Sequence, residues 1–329
     1  MPILTRSIDL LLRGVRADFA LIIDQAEKQV NAMQNNVYLD TTNKTGALFD
    51  EMNATGYQRR EFISVTGVNE LLPVEELQPF PETTYQPSYI TAVEPYKFAR
   101  RVKVSQESVD RRDTQYQKAL DEVSKLQYAW INTKTRQMFD RFNKAFATIA
   151  NGVYYLFDYN DGVALCATNH PLKNGNTYSN LVTASAISTT SIESMILVLQ
   201  NQVDDIGEPA PMGGGTNYLV LPFSKVRVAK EQIESEWIPG NANNNINVWK
   251  TTGWMMVTSP FLGAAQGQGS DTAWFIVDAM YSPLKDVIFK AVESHTWYDE
   301  NTKAFVYDIE FQHKVGAVDF RGMVGNQGL

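Results

Sequence analysis

The sequence predicts an α+β chain, and three stretches carry that expectation. Residues 113 to about 149 repeat apolar side chains at helical spacing without a single proline. The final stretch, "DVIFKAVESHTWYDENTKAFVYDIEFQHKVGAVDF", alternates apolar and polar residues as long antiparallel strands do. Between them, short buried strands and amphipathic helices follow one another, which is the pattern of an α+β domain.

Taken in order, Leu11, Val15, Phe19, Ile22, Ala26 and Val30 recur at three and four between about Leu4 and Met33, so this segment is one helix with an apolar face to bury. "NNVYLDTTNKTGALFDEMNATGY" is polar and turn-rich and is expected to be a connecting arm with little core of its own. From Arg59 to Lys103 the chain reads as extended, with "REFISVTGV" on one side, "KFARRVKVS" on the other, and Pro73, Pro79, Pro81, Pro87 and Pro95 between. Prolines at that density forbid a helix and central strands, so the expectation is a long two-stranded projection with an irregular tip.

At Asp113, a suitable N-cap, the period changes. Tyr116, Leu120, Val123, Ala129 or Trp130, Met138, Phe142, Phe146 and Ile149 predict a helix of about thirty-five residues, roughly 50 Å long at 1.5 Å per residue. Strand-like "VYYLF", the turn "DYNDG" and strand "VALCA" follow. Next come a helix from Ser191 to Val203, the buried strand "NYLVLP" and a helix from Phe223 to Glu236 opened by proline and serine. "WMMVTSPFL" and "AWFIVDAM" read as two strands joined by the glycine-rich "GAAQGQGSDT", and "NANNNIN" as a polar surface loop.

The 329 residues carry a formal net charge of −8, which argues against tight phosphate binding, because clustered Lys and Arg supply that affinity. One cysteine makes no internal disulfide, three histidines build no zinc-type ligand set, and a reducing compartment fits best. Arg13, Arg16, Asp18 and Asp24 interrupt the apolar N-terminus, so neither a signal peptide nor a membrane span is read there.

The chemistry-bearing residues are few. Cys166 and His170, in "ALCATNHPLKNGN", stand four apart across an expected strand end and turn; they are either a thiol nucleophile with its base or an apolar strand cysteine with a turn histidine before Pro171. The spacing does not by itself bring them within bonding reach, which favours the structural reading. "GEPAPMGGGTN" lacks the Gly-Lys-Ser/Thr ending of a phosphate loop and precedes a strand, so it reads as a turn. The basic cluster Lys97, Arg100, Arg101, Lys103, Arg111 and Arg112 could touch nucleic acid or pair with Glu70, Glu75, Glu76 and Glu82 of a neighbouring copy; the acidic total favours the second. His295 and His313 fall in alternating strands, and Asp299, Glu300 and Lys303 form a hairpin turn. No reaction centre or cofactor site converges from these residues.

The order of elements then becomes informative. "YKFARRVKVSQESVDRRD" resembles the returning strand of an extended loop leading into a spine helix, "GVALCATNHPLKNGNTYSNLV" a strand ending in a Thr-x-His-Pro turn, "GTNYLVLPFSKVRVAKEQIES" an axial-domain strand and helix, and "WMMVTSPFLGAAQGQGSDTAWFIVD" the strand pair after it. Together these are similar to the major capsid proteins of tailed double-stranded DNA bacteriophages. The resemblance implies residues 1–55 as N-terminal helix and arm and 56–112 as extended loop hairpin. It assigns 113–190 to the spine helix and first part of a peripheral domain, 191–285 to an axial domain and 286–329 to returning peripheral strands.

It further implies hexamers and pentamers of an icosahedral shell, a virion capsid assembled in the bacterial cytoplasm. Partners would be other copies, a separate scaffolding protein, a portal protein, a decoration protein, and loosely held DNA. Inter-subunit contacts are expected at Leu71, Leu72, Val74, Leu77, Phe80, Arg100 and Arg101. Some relatives cross-link the loop through a lysine; none stands between Lys44 and Lys97 here, so the expected shell is non-covalent. An encapsulin-like compartment holding cargo enzymes and a cysteine hydrolase are the rival readings.

Overall fold

The computed structural model describes residues 13–22, 48–65, 74, 78, 80, 82, 87–149, 155–210, 212–240, 245–266 and 269–329. In chain order the first elements are α1 (residues 13–22), β1 (Asp50–Asn53), β2 (Arg60–Val65), β3 (Pro87–Val93), β4 (Tyr96–Ser105), α2 (Gln106–Arg111) and α3 (Thr114–Asn143). The short strands β5 (Leu156–Phe157), β6 (His170–Pro171), β7 (Thr177–Tyr178) and β8 (Leu181–Val182) precede α4 (Thr189–Gln200). Then come β9 (Asn217–Val220), α5 (Val226–Glu234), β10 (Trp254–Val257), β11 (Trp274–Asp278), β12 (Leu284–Asp299), β13 (Ala304–Ala317) and β14 (Met323–Asn326).

Two five-stranded sheets organise the chain. The first runs β1-β12-β13-β4, with β5 added in parallel to β13. The second runs β10-β9-β11-β14-β8. Its central strands are buried on both faces, as their near-continuous apolar runs require. The long C-terminal hairpin β12–β13 turns at Asp299, whose carboxylate accepts from the Asn301 N–H and the Thr302 hydroxyl, with Lys303 in the left-handed region at φ 46°.

The long helix joins the two sheets. Asp113 caps α3, accepting from the Gln115 and Tyr116 N–H groups at 2.9 and 3.1 Å. Its first half sends Tyr116, Ala119, Val123 and Leu126 against Val102, Val104, Phe305, Tyr307 and Ile309 of the first sheet. Its second half sends Met138, Phe139 and Phe142 against Tyr218, Val220, Phe275 and Val277 of the second. The larger of these side chains contribute roughly 1.5–3 kcal/mol each by leaving water, so α3 holds both sheets through two successive apolar clusters. Val15 and Phe19 of α1 close the first cluster, with Phe19 edge-on to Tyr307 at 5.4 Å and the Tyr116 hydroxyl donating to Asp18 at 2.6 Å.

Several expectations are corrected. α3 ends at Asn143, not near Ile149, because the Asn143 side chain bonds the loop after β10: its amide donates to the Phe261 carbonyl at 2.9 Å and its oxygen accepts from Gly263 at 3.1 Å. Phe146 still reaches the core, stacking on Phe275 at 5.3 Å, but from a turn. The partner of β2 is β3, not the "KFARRVKVS" strand. That strand is β4, which pairs along ten residues with β13, where Val102 and Val104 face Tyr307 and Phe305 and bury a length of apolar surface that the short β2 could not match.

The arm is not coreless either. Leu48 and Phe49 are each 2% exposed in the main core, and β1 pairs in parallel with β12. "VALCA" is not a strand; its backbone is irregular, and the Cys166 N–H donates to the Ala145 carbonyl. β10 and β11 are not neighbours, since β9 lies between them. Helix expectations at residues 26 and 30 and the "NANN" part of the polar loop lie outside the described residues.

Candidate assembly surfaces

The catalytic reading of Cys166 fails on geometry. Cys166 is 2% exposed and burial pushes its thiol up, away from the reactive thiolate. Both ring nitrogens of His170 are already engaged: Nδ1 lies 2.6 Å from Asp161 Oδ2 and Nε2 3.0 Å from Asn180 Oδ1. The ring stacks on Phe320 at 4.0 Å. Asn180 in turn donates to the Leu165 and Phe320 carbonyls and accepts from the Ala167 N–H, so this loop is knit by a histidine and an asparagine acting as struts. The glycine-rich loop behaves likewise. The Gly213 N–H donates to the Asp278 carboxylate, and Asn217 donates to the Gly213 and Gly215 carbonyls.

His313, which the alternation placed correctly in a strand, belongs to a buried ionic cluster that the sequence did not signal. Its Nδ1 is 3.0 Å from Asp286 and its other nitrogen contacts Gln137 of α3. Lys134 reaches Asp286 at 2.8 Å and Glu51 at 3.1 Å. Burial alone would push Asp286 up, yet Lys134 and His313 outweigh it and hold the carboxyl below its usual range. Burial would likewise push Lys134 down, and the two carboxylates reverse that and raise it. The cluster therefore ties β1, α3, β12 and β13 at one point.

The basic residues expected to meet a neighbour are in large part satisfied within the chain. Lys97 pairs with Glu310; Arg101 meets Asp308 at 3.1 Å and lies over the Trp297 ring at 4.8 Å; Lys103 is 3.6 Å from Asp299. These acids sit on β12 and β13, some two hundred residues downstream, which is why local reading assigned the cluster elsewhere. Arg100 is exposed on β4, the outer strand of the first sheet. Glu293, His295 and Glu310 form the one grouping of potential metal ligands among the described residues. Lys290 already contacts both glutamates and Lys97 contacts Glu310; hydrogen bonds from Lys290 and then Lys97 hold Glu310 down to about 2.

What the molecule does present is exposed apolar surface. The β2–β3 hairpin has two unlike faces. Phe62 stacks toward Phe157 at 6.3 Å, with Val93 buried beside it. On the opposite face Ile63 and Ile90, direct cross-strand partners, are 51% and 43% exposed. Of the expected tip contacts, Phe80 is 84% exposed and Val74 is exposed as well, whereas Leu71, Leu72 and Leu77 lie outside the described residues. No helix among the described residues is long and apolar enough to cross a membrane.

Comparison with known proteins gives the family of this fold. A family model described as phage capsid protein matches residues 88–326, which is most of the chain. The capsid protein of Ralstonia phage GP4 superposes with a TM-score of 0.52 at 12% identity, covering 88% of this chain and 89% of that one. The capsid of cyanophage Pam1 gives a TM-score of 0.52 at 9% identity, covering 88% and 90%. At such identities these likenesses show the fold, which is the tailed-phage head fold expected from the order of elements. No curated protein matches the sequence. A fold shared with phage heads, and a family match running from the hairpin strand β3 through the last strand β14, lead to one conclusion: the chain belongs to the phage capsid protein family and is a shell-forming head protein.

Proposed function

We propose that many copies assemble as hexamers and pentamers into an icosahedral shell around a double-stranded DNA genome, each copy laying its β2–β3 hairpin across a neighbour. The observation that carries this reading is the hairpin's unpartnered face, with Ile63 and Ile90 open to water. Such a patch is a liability on a monomer and a contact in an assembly. Tip residues Leu71, Leu72, Val74, Leu77 and Phe80 extend this contact, and Arg100, at the sheet edge, adds a charged one. Arg101 acts through its own Asp308 and Trp297, holding the edge strand flat for docking. Hundreds of symmetric repetitions of a modest contact then hold the shell without covalent links.

In this reading residues 1–55 are the arm, the chain around α3 is the spine, and the second sheet with α4 and α5 is the axial part. β14, within the 286–329 segment expected to be peripheral, pairs with β11 in that sheet. A separate scaffolding protein, a portal protein and a decoration protein complete the particle in the bacterial cytoplasm. The chain's role is structural, not enzymatic. Its acidic balance gives the wall little hold on phosphate, so that DNA slides past it. Deleting residues 71–80 tests the reading. With the candidate scaffolding partner present, the deleted protein should stop at capsomers or monomers in negative-stain microscopy; closed shells of normal diameter would sink it.

A further inference from the structure

The second sheet carries two unlike outer ends. α4 and α5 lie on the same face of it, both packed through one cluster on Leu219, Leu221, Trp274 and Ile276, with α4 toward the β14 and β8 end and α5 toward β10. At the β10 end, the outer strand and α5 enclose a groove of about 650 Å³ lined by Phe223, Lys230, Ile233, Glu234, Trp254 and Met256. Phe223 is 78% exposed at its mouth. Arg227 nearby and Lys250 in the groove lining are paired with Glu231 and Glu236, whereas Lys230 has no ion pair among the described residues. At the other end, Thr190, Glu193, Leu197 and Gln200 form the outward stripe of α4. Leu197 is the one large apolar side chain exposed on that helix, and Glu193, one turn before it, also has no ion pair among the described residues.

We propose that the α4 stripe of one copy seats in the α5–β10 groove of the next, Leu197 entering among Phe223, Trp254 and Met256 while Glu193 faces Lys230. The inference rests on the shell-forming reading and names a contact within it. The occupant is a second copy of this chain because the two faces are complementary in charge and both carry exposed apolar groups. One offers a knob with a negative neighbour, the other a hole with a positive one. Neither end complements itself, so the contact is head-to-tail and generates rings where its rotation closes. Glu234, at the groove's rim, sets the direction of entry, since it repels Glu193 and leaves Lys230 as its partner.

The test is a charge swap in the full chain, expressed with the scaffolding partner beside the wild type. Glu193→Lys and Lys230→Glu should each lower the yield of closed shells about ten-fold or more, because like charges then meet at every repeat of the contact. The double variant should restore most of that yield. Both side chains are exposed, so the unassembled variants should melt with the wild type, which separates failed docking from failed folding. Singles that assemble like the wild type, or a double variant no better than the singles, overturn the contact and leave the shell-forming reading standing. A wild type that forms no shells under any condition overturns both.

Discussion

Replacing Lys134 by Met tests the buried ionic cluster where it is most exposed to failure. Asp286 is 1% exposed at its side chain and has two partners of opposite or potential positive charge, Lys134 at 2.8 Å and His313 at 3.0 Å. Glu51, the other carboxylate on Lys134, is 45% exposed and is rehydrated when the lysine goes. The loss therefore falls on Asp286. Removing one partner of a buried ion pair costs about 3–5 kcal/mol, and the surviving His313 contact places this case near 3 kcal/mol, about a hundred-fold in the folded-to-unfolded ratio. Urea unfolding of the unassembled protein at pH 7 measures it.

The pH dependence supplies the sign. In the wild type Asp286 is held below its usual range, so its contribution is present above the ordinary carboxylate value and is lost as pH falls through the depressed one. In Lys134→Met the main opposing charge is gone and burial dominates, so the carboxyl rises and takes up a proton on mild acidification. The gap between wild type and variant should narrow from pH 7 toward pH ~4. The second change Asp286→Asn, which removes the charge and keeps a bond to His313, should recover most of the loss at pH 7. A loss under about 1 kcal/mol, or a gap that widens on acidification, would refute the argument that burial of an unpaired carboxylate is what the lysine prevents.

Two further outcomes follow from packing. Cys166→Ala should leave shell assembly intact and cost no more than about 1–2 kcal/mol, and the native thiol should resist aqueous thiol reagents until denaturant is added; prompt labelling would contradict its burial. Gly316→Ala should fail far more severely. A Cβ there would run into the Phe157 carbonyl oxygen and ring, and the β5–β13 pairing fixes that backbone, so a drop of about 3 kcal/mol or more is expected from thermal melts. A melt within a few degrees of the wild type would mean that β5 moves aside freely.

The fold class, the capped start of the long helix, the buried strand at Asn217–Val220 and the C-terminal hairpin were legible because each is written in local period or capping chemistry. Pairing was not. Arg101 and Asp308 stand directly opposite one another on adjacent strands, yet 207 residues separate them in sequence. Nothing in "KFARRVKVS" distinguishes a strand returning along the hairpin from one joining the main sheet. The end of α3 was misread for a related reason. Phe146 and Ile149 keep the helical period, and the helix stops because Asn143 finds backbone partners at Phe261 and Gly263, about 120 residues away. His313 gave no signal because its strand pattern is that of any alternating strand; only the meeting of α3, β12 and β13 makes it part of a cluster.

Besides its apolar core, this chain buries several ion pairs and leaves several large apolar side chains in water, and assembly gives that combination a physical sense. Several of its closest ion pairs are inside or nearly so: Arg141 with Asp158 at 2.5 Å, Arg321 with Asp205 at 2.6 Å, and Lys134 with Asp286. Buried pairs of this kind add little net stability compared with apolar replacements, but each forms in a single register of the elements it joins. Meanwhile Phe80, Phe223, Ile246 and Met280 stand largely in water. A subunit that kept these apolar groups exposed and relied on apolar packing alone to define its fold could exchange inner for outer contacts as it met its neighbours. Ionic registers at the junctions of helix and sheet make that exchange costly, because slipping any element strands a buried charge, and so the exposed apolar faces stay available for other copies.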